Sequence, residues 1–164
     1  MAKRPPYGWM AAALLGGLLV GLLVLRGGAP SELTSTELAA ARKLWDARGP
    51  ASYTIELQMA GSLTDRRRIE VRDGEVVDMT VDGRPASEDS WAFWSVDGMF
   101  DFLEAELRNK ENPPRALGVS GPDQVILRAR FDADLGYPTH FLRHLMGRQK
   151  GTEWEVVEFK GPGR

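Results

Sequence analysis

Hydrophobic residues in this chain follow three spacings: unbroken, helical and alternating. The unbroken stretch comes first, where Tyr7 to Leu25 reads YGWMAAALLGGLLVGLLVL without a charged residue. As a helix rising ~1.5 Å per residue it would cover about 28 Å, close to the hydrocarbon thickness of a bilayer. The run predicts a transmembrane anchor that passes through the lipid bilayer over residues 7–25, so that residues 1–26 form a cytoplasmic stub plus the membrane helix. Tyr7 and Trp9 sit where amphipathic rings meet headgroups, and Lys3 and Arg4 hold the N-terminus in the cytoplasm. Everything after the run is then extracytoplasmic, in a single-pass cell-membrane protein. A cleaved signal peptide also has a charged start and an apolar stretch. Here the stretch is longer than such a segment needs, and Arg26 occupies the place of a small-residue cleavage site. Gly17 and Gly21 have the GxxxG spacing that lets membrane helices approach, which makes them the candidate contact of a homodimer. Glycine is also simply common in membrane helices.

Residues 27–34 read as a linker, being rich in glycine and proline. Thr34 followed by Glu37 is a capping box that opens a helix, with Leu38, Ala41, Leu44 and Trp45 at helical spacing until Gly49-Pro50. The spacing then switches to two. Tyr53, Ile55, Leu57 and Met59 alternate with Thr54, Glu56 and Gln58, and Ile69 and Val71 alternate with Arg68, Glu70 and Arg72. Asp73-Gly74 is a hairpin signal, and Glu75 to Val81 returns as a third strand that stops at Asp82-Gly83. Beyond a segment of mixed spacing, Ser95 or Asp97 caps a second helix whose apolar face is Met99, Phe100, Leu103 and Leu107. A loop rich in proline and glycine leads to three more strands, over Val125–Phe131, Thr139–Met146 and Trp154–Phe159. The order αβββ-αβββ with short turns predicts an α+β fold: an antiparallel sheet with both helices packed on one face. This domain covers residues 35–160 and leaves 161–164 as a tail.

Composition narrows the chemistry. Taking Lys3, Arg4 and Arg26 from the 21 basic residues leaves 18 against 23 acidic ones, so the exported part is acidic and is not expected to bind nucleic acid. There is no cysteine, which removes disulfides, thiolate metal sites and cysteine nucleophiles. No nucleophile elbow, phosphate-binding glycine loop or dinucleotide fingerprint occurs, and no cofactor is expected.

Several stretches together resemble a bacterial family of domains of unknown function, DUF6174. They are Leu44-Trp45 followed by Ser52-Tyr53, then Val71 to Val77, then Ser95 to Asp101, then Phe131 to Pro138. The resemblance spans Ala39 to Phe159. It implies a small secreted, lipidated or membrane-tethered domain, and it carries over no activity. The Cys-x-Cys pair that many members have after the first strand is Met59-Ala60-Gly61 here, so no role of that pair transfers.

Four groups of residues could carry chemistry, and each has a plainer reading. Asp132, Asp134 and Gly136 resemble the start of a calcium loop, but the twelfth position is Arg143 where a carboxylate is required. A hairpin turn explains Asp132, Gly136, Tyr137 and Pro138 better, with Asp132 accepting backbone hydrogen bonds and Gly136 at positive φ. No metal is expected. His140 and His144 would share one face of a strand ~13 Å apart, too far to hold one ion. Arg68, Arg128, Arg130 and Arg143 could line one solvent face as an anion or headgroup site if their strands are neighbours. They could equally be paired across strands with Glu56, Glu70, Glu153 and Glu155. Trp91, Phe93 and Trp94 could form a hydrophobic patch for a ligand or partner, or close the core beneath a helix.

The expectation from sequence is a non-catalytic binding or interaction module held at the membrane, with an envelope protein as the expected partner. The alternatives are a small hydrolase or lyase using His140 or His144 in a sheet–helix concavity, and a structural envelope protein.

Overall fold

Residues 28–114, 117–119, 121–148 and 151–161 are described in the computed structural model. The apolar run 7–25, with Gly17 and Gly21, lies outside them; among the described residues no helix is long and apolar enough to cross a membrane. Helix α1 is Ser35–Arg48. Thr34 caps it, its hydroxyl accepting the Glu37 N–H at 3.2 Å while donating to the Glu37 carboxylate at 3.1 Å. The helix stops at Gly49, where a side chain would collide with the Trp45 ring. Helix α2 is Val96–Glu111, and its N-cap is Ser95, whose Oγ accepts the Gly98 N–H at 3.0 Å. The next orphan donor at that end, the Val96 N–H, reaches the buried Tyr53 hydroxyl at 2.8 Å.

The strands are β1 (Ser31–Glu32), β2 (Tyr53–Gly61), β3 (Arg66–Arg72), β4 (Glu75–Val81), β5 (Arg84–Pro85), β6 (Val125–Phe131), β7 (Pro138–Leu145) and β8 (Thr152–Lys160). They form one antiparallel sheet of eight strands in the order β1-β6-β7-β8-β2-β3-β4-β5. Two meanders, β2 to β5 and β6 to β8, are joined by the pairing of the last strand, β8, with β2. Six of these strands, and both helices, stand where the hydrophobic periods put them. The two that the periods did not show are the edges. Ser31–Glu32, inside the segment read as a linker, pairs with Ala129 and Arg128, and it brings Leu33 into the core. Asp82-Gly83, read as a stop, is a second hairpin: like Asp73-Gly74 it has positive φ at both residues, the geometry of a type I′ turn. A strand of two residues shows no alternation, so neither edge had a periodic signal.

Both helices lie on the same side of the sheet. Trp45 of α1 meets the rings of Tyr53, Tyr137 and Phe159 edge-on, and Phe100 and Phe102 of α2 meet Phe131 and Phe141. Ile55, Leu57, Ile69, Leu127 and Phe141 are fully buried on that side. Each such side chain contributes ~1.5–3 kcal/mol relative to exposure. The helices are tied to one another by Arg42, which reaches Asp101 and Glu104 at 2.8 Å each.

Candidate functional site

The opposite face of the sheet carries polar side chains from every central strand, and this is where the alternation places Arg68, Arg128, Arg130, His140 and His144. Cross-strand register sets Arg130 beside His140 and His140 beside Glu155. Arg130 accordingly spans β7. Its Nη2 reaches Glu155 on β8 at 3.0 Å and its Nε reaches Thr139 at 3.0 Å. Beneath that bridge His140 is 9% exposed, with Nε2 at 2.9 Å from a Glu153 carboxylate oxygen and Nδ1 buried without a hydrogen-bond partner. His144 lies four residues further along the same face, opposite Ile126. Neither imidazole lines either of the clefts found among the described residues.

The four arginines do not converge. Arg68 is on β3, four strands from β6, and shares Glu56 with Arg66. The Arg66 hydrogen bond, reinforced by Arg68, holds the Glu56 carboxyl below its ordinary pKa. Arg143 is on the other face altogether. It is in phase with Phe141, and it bonds Glu106 of α2 at 2.6 Å, with Glu106 only 4% exposed, and Thr152 at 3.0 Å. Its place was readable in the sequence, because Phe141, Arg143 and Leu145 are two apart and share a face. The same reasoning finds Arg67, in phase with Ile69 and Val71. Arg67 lies 4.1 Å over the Trp94 ring and is gripped by both oxygens of Asp65.

The aromatic segment divides. Trp94 is buried at 8%, Trp91 is half-buried with its Nε1 unpartnered, and Phe93 is 41% exposed while touching Trp94 and Phe102. Only Phe93 presents a large apolar surface there. The turn at Asp132 is structural in every bond it makes. Its Oδ1 accepts the N–H groups of Asp134 and Leu135 at 3.0 and 2.8 Å. Gly136 has φ +85°, and any Cβ would strike the Ala41 carbonyl of α1. Tyr137 stacks on Phe159 at 4.4 Å, and Pro138 begins β7. The turn therefore serves as the seat of α1, and no group of three potential metal ligands occurs among the described residues.

One of the two clefts is an open concavity of about 600 Å³ at the β1–β6 edge, which sequence reasoning did not find. It lies between β1, β6, the end of α2 and the 3-10 turn Pro122–Gln124, with Lys110, Glu32, Arg128 and Asp123 on its walls. Lys110 bonds Glu32 at 2.8 Å and holds that carboxyl below its ordinary pKa.

Fold and pairs together define a small α+β domain whose antiparallel sheet is covered by helices on one side. Residues 37–113 match the model of a family described as "Family of unknown function (DUF6174)", the family that the sequence resembles. The match takes in α1 from its third residue, β2 to β5 and α2, and ends before β6, so the Asp132–Pro138 turn lies beyond it. No curated protein and no solved structure matches the chain.

Proposed function

We propose that this chain is a single-pass, membrane-anchored protein whose extracytoplasmic domain binds a partner and does not catalyse a reaction. The anchor reading rests on the uncharged run 7–25, its flanking Lys3 and Arg4, and Tyr7 and Trp9 at its start. The observation that carries the binding reading is where the reactive side chains go. His140 is committed to Glu153, Arg143 to Glu106, Arg130 to Glu155 and Arg68 to Glu56. General acid–base work needs such a group within reach of a bound substrate, and these groups are instead spent on holding strands and helices together. The helix-free face is a charged, hydrogen-bonded surface of the kind that positions a protein partner by complementarity.

The test is topology with processing in the native envelope. Protease added from outside should digest the C-terminal domain, while intact mass of the membrane-extracted protein shows the full chain. A species lacking the first ~26–30 residues, as signal-peptidase cleavage would give, overturns the anchor. Crosslinking in intact cells should then recover a discrete envelope partner, and its absence counts against the binding module.

A further inference from the structure

Six peptide links separate Leu25, at the end of the apolar run, from Ser31, the first residue of β1. Fully extended they reach about 21 Å. Eight strands spaced ~4.8 Å apart put β5 ~34 Å from β1. With residues 7–25 in the bilayer, the linker confines the β1–β6 edge to within about 21 Å of the headgroups, a limit it does not place on β5.

That edge carries an unusual combination of groups. In the cleft, Lys110 is neutralised by Glu32, while Arg128 and Asp123 have no ion-pair or hydrogen-bond partner within bonding distance among the described residues. Beside it Ile126 is 37% and Met146 55% exposed, and the Met146 N–H bonds the Gln124 carbonyl at 2.9 Å, which keeps Met146 against the turn that walls the cleft. A guanidinium that makes no hydrogen bond but lies in the field of Glu32, a carboxylate without a bonded partner and two exposed apolar side chains thus share one end of the sheet.

We propose that this edge docks on phospholipid headgroups. The phosphate is taken by Arg128, the ammonium of a zwitterionic headgroup meets Asp123, and Ile126 and Met146 enter the interfacial layer. Two basic and two acidic residues in the cleft balance, which suits a phosphoethanolamine surface better than a strongly anionic one. The inference rests on the membrane-anchored reading above and adds an orientation to it: the domain lies against the membrane by its β1–β6 edge.

The chain has no cysteine, so single cysteines can be spin-labelled without background. Full-length protein carrying Ile126→Cys, Met146→Cys or Val77→Cys would be reconstituted in vesicles of phosphatidylethanolamine and phosphatidylcholine. Label depth is then read from accessibility to oxygen against a water-soluble nickel chelate. Labels at 126 and 146 should sit at headgroup depth and the label at 77 in water, with Arg128→Glu moving the first two to the water value. Water-like accessibility at 126 and 146 in a chain that resists carbonate extraction overturns the docking and leaves the anchor standing. Headgroup depth unchanged by Arg128→Glu overturns recognition by that guanidinium. A chain stripped by carbonate overturns both readings.

Discussion

Two glycines with the same backbone angle separate local strain from packing. Gly74 and Gly136 have φ of +84° and +85°, but a Cβ at 74 meets open space and one at 136 meets the Ala41 carbonyl. Gly74→Ala should cost about 1 kcal/mol, the usual penalty of a left-handed alanine. Gly136→Ala should cost ~2–4 kcal/mol, because strain and a backbone collision add. Denaturant midpoints of the two variants check the ordering, and equal losses would show that α1 yields freely. Tyr53 joins residue chemistry to pH. Its burial raises the phenol pKa, against a lowering by the Val96 N–H that it accepts. A raised folded value means that the stabilisation is complete below the unfolded pKa of about 10 and is lost as pH rises above it. Tyr53→Phe should therefore flatten the alkaline fall in stability by about one proton, while costing ~1–3 kcal/mol at neutral pH for the orphaned Val96 N–H.

At the scale of elements, α2 is held to β7 by the buried pair of Glu106 and Arg143. Arg143→Ala leaves Glu106 buried and unpaired and should destabilise by roughly 3 kcal/mol. Replacing both residues with methionine should restore most of that loss, and thermal melts of the single and double variants decide it. This pair also shows what was legible in advance. The helices, the central strands and the Asp73-Gly74 turn each had a period or a capping residue to announce them, as Thr34 and Ser95 do. The register of distant strands had none, since nothing local tells β8 to pair with β2. Grouping Arg143 with Arg128 and Arg130 therefore followed from composition, and the alternation through Phe141 and Leu145 pointed the other way. The cleft at Arg128 was illegible for a related reason, because it is built from segments whose contact depends on β1, a strand too short to show a pattern.

At the scale of the whole molecule, the sheet ends on two-residue strands on both sides, and the longer rim of β4 beyond β5 carries Glu75 and Asp78 and a bulge of its own at Val77, facing Glu70 and Val71. Short edges, charge and bulges are the usual means of denying a neighbour a template for strand addition. Replacing Glu75 and Asp78 with valine should convert this rim into an adhesive one, seen as concentration-dependent oligomers by crosslinking in vesicles. An unchanged oligomeric state would mean that the bulge alone suffices. The blunt ends matter more for a tethered protein than for a free one. Copies confined to a plane meet at effective concentrations far above their bulk value, so an edge affinity too weak to notice in solution could tile a surface. If the chain is anchored as proposed, a sheet that closes its own margins can be crowded in two dimensions and still avoid edge-to-edge assembly, which would set how densely a membrane can be stocked with it.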